Sequence, residues 1–140
     1  MSPSDPLTVL QESLRGAPVI WKGDYPYFIH PISDGIPRMD ADVLRATCDL
    51  IVEMVDWSKV DLLVSVEAMG LPLLAAVGDA TGKPTVVIRK RSYGMEGEVG
   101  VDVSTGYSQS TAYINDICPG ERVLIVDDVI STGGTLEPLL

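Results

Sequence analysis

Four lysines, one histidine, one phenylalanine and two cysteines are all that this chain of 140 residues holds of those types. Each shortage narrows what the protein can do. Ten Lys+Arg against twenty Asp+Glu leave a formal charge of −10 and an isoelectric point near 4.3. A surface this acidic repels phosphate backbones and anionic lipid, so neither nucleic acid nor a membrane is expected as a partner. An anionic ligand must then be held by a local positive pocket. Aspartate outnumbers glutamate, a bias that suits a salt-loving cytoplasm. Cys48 and Cys118 lie far apart, with no CxxC and no Cys/His cluster. They imply no disulfide framework and no zinc site, only small core residues in a reducing cytosol. The most apolar window, 62–77, is interrupted by Glu67, Gly70 and Pro72 and cannot span a bilayer. The opening MSPSDPLTVLQESLRG lacks a basic n-region and a long apolar h-region, so it is no signal peptide. The expectation is a soluble, cytoplasmic protein.

What is there has a globular balance, 46% hydrophobic and 21% charged, at a length that suits one domain. Ser4 or Asp5 is placed to cap a helix carrying Leu7, Leu10 and Leu14, which Gly16 stops. Residues 18–21 and 25–29 are β-prone runs around a hairpin-like turn at Lys22-Gly23-Asp24. Residues 30–38, HPISDGIPR, read as loop. Val43, Leu44, Thr47, Cys48, Ile51, Val52 and Val55 follow the 3.6-residue period and predict a helix over 40–57. Strand and helix then alternate: strand 61–66, helix 70–80, strand 84–88, a polar glycine-bearing loop over 89–110, a short strand 112–114 and a buried strand 122–126. Another helix is expected from Thr135. Unbroken apolar strands alternating with helices predict an α/β, Rossmann-like parallel sheet covered on both faces. The chain stops six residues into that last helix, so a C-terminally incomplete domain is expected, one sheet face of which lacks its cover.

The sharpest motif is VLIVDDVISTGGT at 123–135. A buried strand delivers Asp127 and Asp128 to the carboxyl edge of the sheet, where α/β proteins bind ligands. The loop Ser131-Thr132-Gly133-Gly134-Thr135 then offers backbone N–H groups, hydroxyls and a helix start, which together suit a phosphate. Carboxylates cannot hold a phosphate but do accept hydrogen bonds from vicinal sugar hydroxyls, so the pairing points to a ribose 5-phosphate. A Walker B strand is disfavoured because no GxxxxGK[ST] lies upstream. Glu67 to Gly70 follow a buried strand, and Gly70 lets backbone N–H groups approach an anion there; a solvated loop acid is the equal alternative for Glu67. Arg89, Lys90 and Arg91 are three of the ten basic residues, set side by side, and suit a diphosphate better than a merely solvated charge run. His30 before a proline is expected to be structural.

VLIVDDVISTGGT resembles the phosphoribosyl diphosphate (PRPP) signature of type I phosphoribosyltransferases. VSVEAMG at 64–70 resembles the pyrophosphate loop of the adenine and archaeal hypoxanthine branches of that family. RKRSYGMEGEV at 89–99 resembles the start of their mobile catalytic loop, and YFIHPISDGIP at 27–37 is similar to the N-terminal hood of the archaeal hypoxanthine type. The resemblance covers nearly everything from Val19 to Leu140. It implies one phosphoribosyltransferase domain, with a helix and hood segment at 1–38 and a core at 39–140 that lacks its last strands. It further implies transfer of the ribosyl 5-phosphate group from PRPP to N9 of a free purine, with release of pyrophosphate. Asp127 and Asp128 would then hold the ribose, Ser131, Thr132, Gly133, Gly134 and Thr135 the 5-phosphate, and Glu67, Ala68, Met69, Gly70, Arg89, Lys90 and Arg91 the pyrophosphate. Glu98 and Tyr107 would belong to the mobile loop, and Phe28 or Ile29 would face the base. Mg2+ would be bound through PRPP and water with no direct protein ligand, and the chain would act as a homodimer. The alternatives are a PRPP-binding regulator without turnover and an inactive fragment.

Overall fold

The computed structural model describes residues 5–105, 108–130 and 133–140. Its centre is a three-stranded parallel sheet in the order β4-β3-β7, from Thr85–Ile88 (β4), Leu62–Val66 (β3) and Val123–Ile125 (β7). The register sets Leu63 beside both Thr85 and Leu124, and Val64 beside both Val86 and Ile125. β3 is buried along its whole length, as a run apolar at every position but Ser65 requires. Leu63 and Val126 pack against two helices, α3 (Ala41–Met54) through Val43 and Cys48, and α4 (Leu71–Thr81) through Leu73, Leu74 and Val77.

The other face of the sheet is covered differently from the expectation. β5 (Val99–Thr105) and β6 (Ser108–Ile114) form an antiparallel ribbon, where a loop over 89–110 was expected. Val103 and Ala112 of the ribbon pack on Leu62, Val64, Val66 and Ile88, with Ile117 and Leu139 beside them. That face is not bare. The ribbon is fastened to the end of β4 by two hydrogen bonds, Arg89 N–H to the Tyr113 carbonyl and Tyr113 N–H to the Arg89 carbonyl. At the opposite edge Arg122 clasps Asp61 with two guanidinium hydrogen bonds of 2.9 and 2.8 Å.

The N-terminal third adds α1 (Pro6–Arg15), capped by the Asp5 carboxylate on Thr8 N–H. Val9, partly buried, is its contact with the core, while Leu7 and Leu14 of the expected apolar set stay exposed. β1 (Val19–Lys22) and β2 (Tyr25–Phe28) form the expected hairpin, turned by Gly23 at φ 62°. The loop expected at 30–38 contains a short helix, α2 (Pro31–Asp34). His30 caps it, its Nδ1 accepting from Ile32 N–H, and Asp34 accepts from the His30 N–H in return. Nε2 of His30 lies 3.0 Å from Ser13 Oγ, so this buried histidine ties α2 to α1. No helix forms from Thr135: a turn and one 3-10 turn, Glu137–Leu139, follow instead. Three i→i−3 bonds, from the N–H groups of Leu136, Leu139 and Leu140, hold this segment beside a single i→i−4 bond from Glu137 N–H to the Gly133 carbonyl.

Candidate active site

Parallel strands put their carboxyl ends at one edge, and three of those ends converge here. β3 runs into Glu67-Ala68-Met69-Gly70, β4 into Arg89-Lys90-Arg91 and β7 into Val126-Asp127-Asp128. A cleft of about 220 Å3 opens between them. Glu67, Ala68, Lys90, Asp127, Asp128 and Thr135 line it from the sheet, and Val103, Ser110 and Ala112 line it from the ribbon. Gly70 makes this convergence feasible. A Cβ on Gly70 would stand 2.1 Å from Ser65 Oγ and 3.1 Å from Asp127 Oδ1, so only glycine lets the start of α4 press against both.

The two aspartates are coupled. The Asp128 N–H donates to Asp127 Oδ1 at 2.9 Å. Burial, reinforced by the hydrogen bond and charge of Asp127, pushes the Asp128 carboxyl up to about 7. The segment 27–34 influences the same pair. Tyr27 Oη donates to Asp34 Oδ1 at 2.7 Å, and Asp34 Oδ2 accepts from His30 N–H and Ser33 Oγ. The hydrogen bond to Asp34, then burial, then the charges of Asp34 and Asp128 raise the Tyr27 hydroxyl. Gly35, at φ 70°, lies over the Met69 side chain, so Met69 joins the strand-end loop to the turn after α2 and does not line the cleft.

The basic cluster divides three ways. Arg89 Nε donates to Glu67 Oε2 at 2.9 Å, and the Lys90 N–H donates to Glu67 Oε1 at 2.6 Å. Those bonds, the Lys90 N–H foremost, hold the Glu67 carboxyl below its usual range despite burial. Arg91 turns outward onto Tyr93, donating to its hydroxyl from Nε and Nη2. Lys90 alone of the three lines the cleft. Glu98 closes the segment between β4 and the ribbon: its carboxylate accepts from Ser92 Oγ, Tyr93 N–H and Asn115 Nδ2. These bonds pull it down to about 2.

In the 133–135 turn, Gly133 has φ 81° and Thr135 faces the cleft. Ser131, Thr132 and Tyr107 lie outside the described residues, as does Ser4. Phe28 is exposed, and Ile29 lines a groove against α1 with Ser13 and Gly16. Neither borders the cleft. Sequence reasoning passed over Tyr27, Asp34 and Ser65. Alternation along a strand turns Tyr27 away from Phe28, and Ser65 is the single polar residue in an apolar strand; both signals were present. Among the described residues no cluster of three His, Cys, Asp or Glu forms a metal cage, and no helix is long and apolar enough to cross a membrane.

Comparison with known proteins agrees with this geometry. Residues 36–140 match the model of the phosphoribosyl transferase domain. Over 129 residues the chain is 53% identical to a hypoxanthine/guanine phosphoribosyltransferase of Ferroglobus placidus, spanning 92% of this chain and 68% of that one. It is 50% identical over 134 residues to a protein of the same name from Methanohalophilus mahii, spanning 96% and 70%. Its fold is similar to the adenine phosphoribosyltransferase of Saccharomyces cerevisiae solved with an iminoaltritol bisphosphate and adenine, at TM-score 0.77 and 20% identity, covering 95% of this chain and 78% of that one. The enzyme of Rhodothermus marinus gives TM-score 0.73 at 23% identity, covering 95% and 76%.

Proposed function

Because this chain belongs to the phosphoribosyl transferase family, we propose that it is a purine phosphoribosyltransferase, moving the 5-phosphoribosyl group from PRPP to a free purine and releasing pyrophosphate. The observation that carries this is the cleft itself, where Asp127, Asp128, Lys90 and Thr135 meet at one sheet edge. Breaking the bond between the sugar C1 and the diphosphate leaves an oxocarbenium-like ribose and a highly charged leaving group, so catalysis is positional and electrostatic. Asp127 and Asp128 hold the ribose hydroxyls, and the negative charge the pair shares favours the cationic sugar. Gly133, Gly134 and Thr135, with Ser131 and Thr132, take the 5-phosphate. Lys90 and the backbone of 67–70 receive the pyrophosphate, while Glu67 fixes Lys90 through its N–H. The ribbon closes the cleft opposite the sheet and keeps water from the sugar.

The donor set facing the cleft suits Mg2+ that keeps its waters and rides on substrate oxygens, where it neutralises the leaving diphosphate. Hypoxanthine and guanine are the first bases to try, since both relatives carry those names. A homodimer in the cytoplasm belongs to the same proposal; the bare apolar side of the β1–β2 hairpin supports the dimer. The test is PRPP-dependent pyrophosphate release with hypoxanthine, guanine and adenine in turn. Release with at least one base is expected. Tight PRPP binding with no release from any purine would replace this proposal with a regulator that binds without turnover.

A further inference from the structure

Ser65 sits at the penultimate position of β3 with none of its surface exposed, and its Oγ has no hydrogen-bond partner among the described residues. A buried, unpaired hydroxyl has given up its hydration with nothing in return, which an apolar group of the same shape would not. Such an atom inside a well-packed strand calls for a use. Its surroundings supply one. The point where a Cβ of Gly70 would stand is 2.1 Å from Ser65 Oγ and 3.1 Å from Asp127 Oδ1. The two oxygens are therefore no further apart than the sum of those distances. One rotation about the Ser65 Cα–Cβ bond, or one bridging water, spans that gap. Gly70 keeps the space between them clear, because any side chain there would fill it.

We propose that Ser65 is a positioning residue for the ribose-binding carboxylates: its hydroxyl donates to Asp127 Oδ1, directly or through one water, and so turns Oδ2 towards the cleft. Asp127 Oδ1 already accepts from the Asp128 N–H. A second donor from below fixes both bonds of the same oxygen and leaves the other oxygen free for a sugar hydroxyl. Among the described residues no other side chain donates to Asp127 Oδ1: Lys90 and Thr135 line the cleft, and the Tyr27 hydroxyl donates to Asp34. The proposal rests on the ribose-phosphate assignment, but its first test needs no substrate.

That test follows the carboxyl carbons of Asp127 and Asp128 by 13C NMR through a pH titration of the full chain, in wild type and Ser65→Ala. Losing a donor to the charged form raises the apparent pKa of the pair; an upward shift of about 0.5 unit or more is expected, with unchanged or raised thermal stability. A superimposable titration would overturn the proposal. The second test measures ribose 5-phosphate affinity. Ser65→Ala should weaken it about five- to tenfold, in keeping with one lost hydrogen bond, and should change nothing further in an Asp127→Ala background, where no acceptor remains. An equal loss in both backgrounds would mean that Ser65 acts without Asp127, and would also overturn the idea. If wild type does not bind ribose 5-phosphate at all, the ribose assignment falls, and the titration still decides whether Ser65 is coupled to Asp127.

Discussion

Asp128 carries an acid where burial and a neighbouring carboxylate both resist its ionisation. Its carboxyl is raised from 3.8 to about 7, so between those values the folded chain binds more protons than the unfolded one. Stability from this group therefore falls as pH rises through that window. Asp128→Asn removes the penalty. Thermal melts of the variant and of wild type should coincide near pH 4 and separate in favour of the variant by pH 8; parallel curves would show that Asp128 ionises normally. Lys90 and Arg91 are neighbours in sequence with opposite fates. Lys90→Ala should weaken PRPP binding about 10–100-fold, the worth of one charged hydrogen bond, while Arg91→Ala stays within about threefold because its guanidinium is committed to Tyr93. Isothermal titration with PRPP separates the two, and equal losses would return all three basic residues to one clamp. That split shows how far the site could be read in advance. The motif and the convergence of strand ends were legible because each is local in sequence. Which of three adjacent basic side chains enters the cleft depends on Glu67, twenty-three positions before Lys90, and on a tyrosine that takes Arg91.

At the scale of elements, the segment between β4 and the ribbon is held by one carboxylate. Glu98 gathers Ser92, Tyr93 and Asn115. Held at about 2, it keeps its latch fully above its ordinary value of 4.5 and loses it only as pH falls through about 2. Glu98→Gln should leave the core intact and speed tryptic cleavage after Lys90 and Arg91 several-fold at neutral pH. Cleavage at the wild-type rate would show that the latch does not govern access. The ribbon beyond it is where the structure departs furthest from the loop that the sequence pattern predicts. Val99, Val101 and Val103 alternate with Gly100, Asp102 and Ser104, a period of two that was in plain view. Glycines and polar residues diluted it, and no partner strand stood out because Ser108–Ile114 is mostly polar. What makes it a ribbon is tertiary: Val103 and Ala112 meet the sheet. The parallel strands needed no such help, since short β-branched apolar runs bounded by Asp61 and Glu67, Pro84 and Arg89, and Arg122 and Asp127 favour strand over helix by length and flanks. The short helix after His30 was hidden by its prolines and glycine, although Pro31 at its first position favours such a start.

Across the whole molecule, twenty acidic groups face ten basic ones, and three of the described ion pairs, Arg45–Asp42, Lys59–Asp56 and Arg122–Asp61, are exposed. Exposed pairs contribute little, whereas the surplus charge repels itself throughout. Added salt shortens the screening length from about 30 Å at 0.01 M to about 3 Å at 1 M, so the melting temperature should rise with KCl. A fall would mean that the ion pairs outweigh the repulsion. The same surplus acts between molecules. Val19, Trp21, Pro26 and Phe28 share one side of the β1–β2 hairpin, where each is exposed and Trp21 keeps 69% of its surface. In neutral solution the acidic coat keeps copies from meeting through this side, except in a geometry that buries it well. Near pH 4.3 the coat is discharged and the brake is gone. Light scattering should then rise steeply around that pH in wild type, and much less in Trp21→Ser, so the coat and the hairpin together set the protein's colloidal limits.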